Sequence, residues 1–312
     1  LNLLIKINAH QMLGLTLSQL LDFIVDVANQ YHFFQRTSAT TTATASESHK
    51  ILPLYHTFYH AADVMTMLHY FCHDLKANEF LTDMDRVCLM VAALCHDIGH
   101  PGLNNHFQVS MKTELAKQFG DKSTLEMYSV YLTINHVATA LEREKFIETI
   151  RDFILSTDMM YHQELEKQQK AGETAPAVLN EKGRFDLCRI LLHAADISNM
   201  TRPWSIAKQW SDLVVQEFYL QGDEEKKNQK TVSPGMDRDS NTQASISLKF
   251  GSFIHPFFEA LAHLLPASYI LVDYLSSNRL LWETAAGNTE HMSKKRKISS
   301  SGDTCSTHLL PN

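Results

Sequence analysis

The sequence predicts an all-α domain. Apolar residues recur at helical spacing along most of the chain, alternating strand patterns with hairpin signals are absent, and polar low-complexity stretches separate the periodic segments. The first stripe is Leu17, Leu20, Leu21, Ile24, Val27 and Ala28. Comparable one-sided stripes run over residues 58–75, 84–95, 146–155, 185–192, 210–220 and 253–265. Residues 37–48 (TSATTTATASES) cannot supply a core and are expected to form an exposed loop. Polar stretches at 168–182 and 222–241 separate later helices; the second holds Ser233-Pro234-Gly235 and is expected to be a flexible lid. Beyond Trp282 the composition turns polar, and fraying is expected. The chain thus divides into a helical segment with its low-complexity loop (1–50), a core (51–286) and a polar basic tail (287–312).

With 312 residues and 44% hydrophobic content, the chain can bury a full core and is best read as one domain with tails. A formal net charge of -7 argues against a dedicated nucleic-acid binder, which needs a basic face to neutralise phosphates. The basic run Lys294-Lys295-Arg296-Lys297 lies in a Ser-rich tail and reads as a solvated end. Five cysteines (Cys72, Cys88, Cys95, Cys188, Cys305) show no C-x-x-C spacing, and four sit in apolar helical context. They read as reduced core residues of an intracellular, cytoplasmic protein. No apolar stretch reaches bilayer length and no secretory leader opens the chain. The first residue is Leu rather than Met, so regulatory domains are expected to lie outside this sequence. A homodimer stays open as an assembly.

The chemistry starts at His96-Asp97, which closes the apolar run Val87-Cys88-Leu89-Met90-Val91-Ala92-Ala93-Leu94-Cys95. A buried helix end has little use for two adjacent polar groups unless something binds them. His56 and His60 stand four apart, so on a helix they would share one face. His193 and Asp196 follow the apolar stretch 187–192, again at an expected helix end. Each placement alone reads as an ordinary core histidine or a capping carboxylate; three together point to a metal. Imidazoles plus carboxylates suit Zn2+, with harder oxygen ligands left for Mg2+ or Mn2+. Asp97 is the candidate bridge between two ions, His60, His96 and Asp196 complete the tighter site, and His100, Glu126 and Thr157 can hold waters of the looser ion. Phosphoester hydrolysis also needs a proton for the leaving oxygen, and His56, not needed for the metal count, fits that role.

These residues fall into motifs: Tyr55-His56, His60-Ala61, Asp63-Val64; His96-Asp97, His100-Pro101-Gly102, Asn105; Ser123-Thr124-Leu125-Glu126; Thr157-Asp158-Met159 with His162; Ala195-Asp196-Ile197-Ser198-Asn199; Gln209-Trp210; and Glu217-Phe218 with Gln221-Gly222-Asp223. In this order they resemble the catalytic domain of the class I cyclic nucleotide phosphodiesterases over residues 52–282, with Asn104-Asn105-His106-Phe107 most similar to the kinetoplastid-parasite branch. The resemblance implies a compact multi-helix bundle of the His-Asp phosphohydrolase type, with zinc and magnesium or manganese at the base of a deep pocket. It implies zinc ligation by His60, His96, Asp97 and Asp196, and a proton donated to O3′ by His56, held by Glu217. A cyclic nucleotide would be opened to its 5′-monophosphate by in-line attack of water activated between the ions. The purine would lie between Phe250 and Ile197 or Val214, with Tyr55, Met159 and Phe218 in the pocket. Asn199 could pair with an adenine edge, which leans the substrate towards cAMP, with cGMP open.

Three positions depart from the family pattern. The family usually places a Gln three residues before the clamp Phe, where this chain has Ser247; Gln243 lies one helical turn earlier. Three residues after Glu126 the family expects His, where Ser129 stands; His136 is the candidate replacement. A carboxylate or amide often stands at the position of Gly99, a change expected to alter a hydrogen bond and not the metal set. Two other readings remain at this point: another His-Asp nucleotide phosphohydrolase, and a catalytically silent cyclic nucleotide sensor.

Overall fold

The computed structural model describes residues 1–31, 54–137, 144–171 and 179–300. Among them the chain forms fourteen α-helices and no strand, as the periodicity predicts. They are α1 (Asn2–Lys6), α2 (Ala9–Leu13), α3 (Leu17–Gln30), α4 (Phe58–His73), α5 (Asp83–Cys95), α6 (Asn105–Ser110), α7 (Glu114–Phe119), α8 (Thr124–Val137), α9 (Glu144–Leu155), α10 (His162–Ala171), α11 (Glu181–Asp196), α12 (Trp204–Lys227), α13 (Gln243–Leu264) and α14 (Tyr269–Ser300). The expected loop at 37–48 and the middle of the polar stretch at 168–182 lie outside the described residues. No helix among those described is long and apolar enough to cross a membrane.

Helix α5 is the axis of the bundle because it is apolar all round. Every residue from Val87 to Cys95 is buried, the pattern of a helix surrounded on all sides. Its start is fixed by a capping box, in which the Thr82 hydroxyl accepts from Asp85 N and the Asp85 carboxylate accepts from Thr82 N. Helices α4, α9 and α11 pack around it, and Tyr31, at the end of α3, donates its hydroxyl to the Leu94 carbonyl at 2.9 Å. The last two helices pair along their length, and α13 begins on a second capping box, Thr242 with Ser245. Cys72, Cys88, Cys95 and Cys188 are free and buried, and burial pushes the Cys95 thiol up to about 12, which removes its thiolate chemistry at neutral pH. Cys305 lies outside the described residues.

Three expectations need correction. His56 does not share a helix face with His60, because α4 starts only at Phe58 behind the N-cap Thr57; His56 sits in the preceding bend. The stretch 222–241 is not a loose lid. It is docked along α12: the Glu225 carboxylate accepts from Ser233 N at 2.6 Å and Ser233 Oγ at 2.7 Å, Arg238 pairs with Asp223, and Met236 is buried. Nor does the chain fray just after Trp282, since α14 continues to Ser300 through a stretch rich in Ala, Lys and Arg and free of proline.

Glycine is required at two points near the pocket. Gly99 turns the chain after Asp97 at φ +76°, and a Cβ there would lie 2.6 Å from the Leu132 side chain and 2.7 Å from the Tyr128 ring, so a carboxylate or amide here would be strained and would have to displace both neighbours. Gly222 lets α12 touch the docked stretch, for a Cβ there would lie 2.1 Å from the Met236 carbonyl oxygen. Gly222→Ala is therefore expected to lower stability by about 1–3 kcal/mol, read as a fall in Tm. An unchanged melting curve would contradict the close approach of the two segments.

Candidate metal centre and pocket

Three helix ends converge. His60 lies in the first turn of α4, His96 is the C-cap of α5 with Asp97 next to it, and Asp196 ends α11. One ligand atom from each of the four lies within 4.8 Å of all the others. His60 Nε2 is 2.8 Å from Asp196 Oδ1 and 3.6 Å from Asp97 Oδ2; His96 Nε2 is 3.1 Å from Asp97 Oδ2 and 3.3 Å from Asp196 Oδ1. A tetrahedral ion with bonds of about 2.0–2.2 Å separates its ligand atoms by about 3.3–3.6 Å, close to this spacing. The His96 Nδ1 hydrogen points to the Ala93 carbonyl at 2.8 Å, which fixes the tautomer and aims Nε2 at the carboxylates. His96 Nε2 and Asp97 Oδ2 are buried without an aligned hydrogen-bond partner, a costly state unless they serve a ligand.

The electrostatics agree with the geometry. Burial disfavours charge on His96, yet Asp97 and Asp196 outweigh it and hold the imidazole well above its ordinary value. Burial likewise works against the two carboxylates, and the His96 imidazolium overcomes it, holding both well below the usual range. The proton is thus held on His96 between two ionised carboxylates, in a donor set that suits a divalent cation, which would displace that proton. The group can hold a metal ion.

A second cluster adjoins it. His56 Nδ1 is hydrogen-bonded to Glu217 Oε1, and Glu217 Oε2 accepts from the backbone N–H of Leu54 and Tyr55, each at 2.8 Å. Burial opposes the His56 imidazolium, but Glu217, then Asp97, raises its pKa to about 9, while the same pairing lowers Glu217 to about 2 against its own burial. His100 stacks on His56 with ring centroids 3.8 Å apart. Burial, then the His56 charge, lowers it to about 3. Its Nδ1 accepts from Gly102 N, so the neutral ring carries its proton on Nε2. Beyond it, Glu126 accepts from Asn105 Nδ2 at 2.9 Å and is pushed up to about 7 by burial and then by Asp158.

Both clusters border one cavity of about 380 Å³. Of the residues singled out from sequence, Tyr55, His56, Asp97, His100, Glu126, Thr157, Met159, Asp196, Ile197, Asn199, Val214, Phe218, Ser247 and Phe250 line it. His60 and His96 lie beneath its floor and Glu217 stands behind His56. Gln243 stays outside the lining, its amide donating to Asp212 at 2.5 Å and to Ser211 at 3.2 Å. His136 stands ten residues beyond Glu126 on the single helix α8, about 15 Å along its axis, so no insertion carries it to Glu126. Ser129 instead donates to the Ile98 carbonyl at 3.0 Å.

Several contributors escaped the sequence reading. Asn105 and Asp158 stood inside quoted motifs, and Asp158 accepts from Ser123 Oγ and from Met160 N. Trp210, Ser211 and Val215 share with Val214 and Phe218 one face of α12, so helical spacing from those two residues would have found them. Met236 comes from the docked stretch and left no local signal.

The family profile described as 3′5′-cyclic nucleotide phosphodiesterase matches residues 55–275. Among relatives, the chain is 34% identical over 242 residues to the 3′,5′-cyclic-nucleotide phosphodiesterase regA of Dictyostelium discoideum, covering 73% of this chain and 30% of that protein. It is 33% identical over 223 residues to the high affinity cGMP-specific 3′,5′-cyclic phosphodiesterase 9A of Mus musculus, covering 68% and 42% respectively. It is 29% identical to the probable 3′,5′-cyclic-AMP phosphodiesterase pde-4 of Caenorhabditis elegans, covering 72% and 36%. The chain therefore spans between about a third and two fifths of the length of these three relatives. Among solved structures, the Leishmania protein LmjPDEB1 in complex with IBMX superposes with a TM-score of 0.79 at 27% identity, over 92% of this chain and 85% of that one. The phosphodiesterase domain of the Salpingoeca rosetta rhodopsin phosphodiesterase gives 0.81 at 23% identity, over 94% and 88%, a likeness of fold. With a profile that spans the metal-capable cluster and the helices that carry it, the chain belongs to the 3′,5′-cyclic nucleotide phosphodiesterase family.

Proposed function

We propose that this chain hydrolyses the 3′,5′-cyclic phosphodiester of cyclic nucleotides to the 5′-monophosphate. The observation that carries this reading is the joining, in one cavity of nucleotide size, of a metal-capable cluster, a carboxylate-oriented imidazole and an apolar slot. His60, His96, Asp97 and Asp196 would hold Zn2+, and Asp97 would also face a Mg2+ or Mn2+ ion whose waters His100, Glu126 and Thr157 hold. When bound, such ions neutralise phosphoryl charge and lower the pKa of water to the neutral range.

The chain's own residues supply the rest. His56 is the proton donor to O3′: its Nδ1 is committed to Glu217, leaving Nε2 for the cavity, and its raised pKa keeps it protonated at neutral pH. Glu217 is the positioning residue, and its two backbone contacts hold the bend that carries His56. Its own low pKa keeps it ionised after the proton leaves. Phe250 on one side and Ile197 and Val214 on the other would flank the base, with Tyr55, Met159 and Phe218 closing the slot. Neither a general His-Asp phosphohydrolase nor a silent sensor needs the His56–Glu217 pair.

Purified protein supplied with Mg2+ or Mn2+ is expected to convert cAMP to AMP and to lose that activity with a strong chelator; binding without turnover would favour the sensor. His60→Ala and Asp97→Ala are expected to lose bound metal by elemental analysis. His56→Ala should keep its metal and lower kcat by about 10²–10⁴. Equal metal loss in all three would overturn the assignment of roles. Because Glu217 raises the His56 pKa and the donor must be protonated, activity falls as pH rises through that pKa. Glu217→Gln should therefore move the alkaline limb of the kcat/KM profile to lower pH, and an unmoved limb would remove Glu217 from the mechanism.

A further inference from the structure

Several polar side chains at or near the cavity are already committed to partners within the protein. Asn199 lines the cavity, but its amide is already engaged: Oδ1 accepts from the Tyr55 hydroxyl and Nδ2 lies 3.4 Å from Asp63 Oδ2. The Asp63 carboxylate is itself held by Arg202 at 2.7 Å, so both ends of the Asn199 amide are tied into one network. Trp210 packs its ring against Tyr55 and His60, at the metal end. Gln243 is tied to Asp212 and Ser211 outside the lining.

Beside Phe250 the cavity wall carries a pair of hydroxyls. Ser211 Oγ on α12 and Ser247 Oγ on α13 are 2.7 Å apart, both buried, both at the cavity wall, and either can be the donor. Ser247 precedes Phe250 by three residues on one helix, so its hydroxyl lies on the same face as the ring beside the slot. When Ser211 donates, the Ser247 O–H is free to donate in turn, as guanine O6 or adenine N1 requires. When Ser247 donates to Ser211, the remaining lone pairs of Ser247 can accept from adenine N6–H or guanine N1–H. Exchange between the two states needs only rotation of two hydroxyl hydrogens. An amide at this place would have to turn over as a whole, and its orientation would be set by its neighbours.

We propose that Ser211 and Ser247 form the base-reading element of this cavity and that, because their hydrogen bond can run in either direction, the site accepts adenine and guanine cyclic nucleotides alike. This rests on the reading of the cavity as a cyclic nucleotide site and sharpens it by naming the substrate class. A site built to hydrogen-bond one fixed pattern rejects a substrate lacking it by a large factor, about 10⁴ or more. A pair that changes direction has no such lever.

The test is a parallel measurement of kcat/KM for cAMP and cGMP on the wild-type chain and on Ser247→Ala and Ser247→Gln, with affinities of both nucleotides measured by calorimetry and folding checked by thermal melts. The wild type is expected to treat the two nucleotides within about tenfold of each other. Ser247→Ala should raise both KM values by a similar factor, about three- to tenfold for one lost hydrogen bond, with kcat little changed. Ser247→Gln should separate the two nucleotides by at least about tenfold. Discrimination beyond about a hundredfold in the wild type, or a Ser247→Ala effect on one nucleotide only or on neither, would overturn the proposal while leaving the hydrolase reading intact. Equal binding of both nucleotides without turnover would remove the hydrolase reading and leave the base reading standing.

Discussion

Two half-buried carboxylates, side by side at the base of a cavity in an otherwise apolar bundle, are the constraint on which the rest of this structure depends. Asp97 and Asp196 sit at the ends of different helices, and a medium of low polarity penalises each charge severely unless positive charge lies close by. The His96 imidazole, which the two carboxylates hold well above its ordinary value, is that company within the chain, and the Nε2 atoms of His60 and His96 both face the carboxylates. Much of the fold can be understood as the scaffold for this meeting. Helix α5 is apolar on every side so that it can run through the centre and deliver His96-Asp97 to the base of the cavity, while Gly99 turns the chain away at a positive φ beside Leu132 and Tyr128.

The second imidazole pair divides two protonation states between two stacked rings. His56 faces Glu217 and is driven towards the cation; His100, stacked on it, is driven to the neutral form, partly by that same cation. Neighbours in contact thus acquire opposite characters, one cationic and one neutral, from burial, the nearby carboxylates and, for His100, the charge on His56.

The helical class and the metal-capable residues were legible because they rest on local signals: apolar spacing, and polar pairs at the ends of apolar runs. The position of His56 was misjudged because spacing by four suggests a helix face, whereas Thr57 caps α4 and starts it after His56. Glu217 was inaccessible to spacing, since its partners, Leu54 to His56, lie about 160 residues away in sequence. The docking of 222–241 escaped for a related reason: a polar, charged stretch looks solvated until the buried Glu225 that receives Ser233 is seen. Helical spacing from Val214 and Phe218 reaches Ser211, but its pairing with Ser247 on another helix carried no local sign.

One anchoring contact ties the periphery to the centre. The buried Asn278 amide on α14 donates to the carbonyls of Met200 and Arg202, at 2.9 and 2.8 Å, in the turn that follows Asp196 and carries Asn199. The same helix runs on for a further 22 residues to Ser300, about 33 Å of helix at 1.5 Å per residue. The helix that closes the described chain is thus pinned through one amide to the turn that carries Asn199, so the register of α14 and the backbone beside the floor of the cavity are set together.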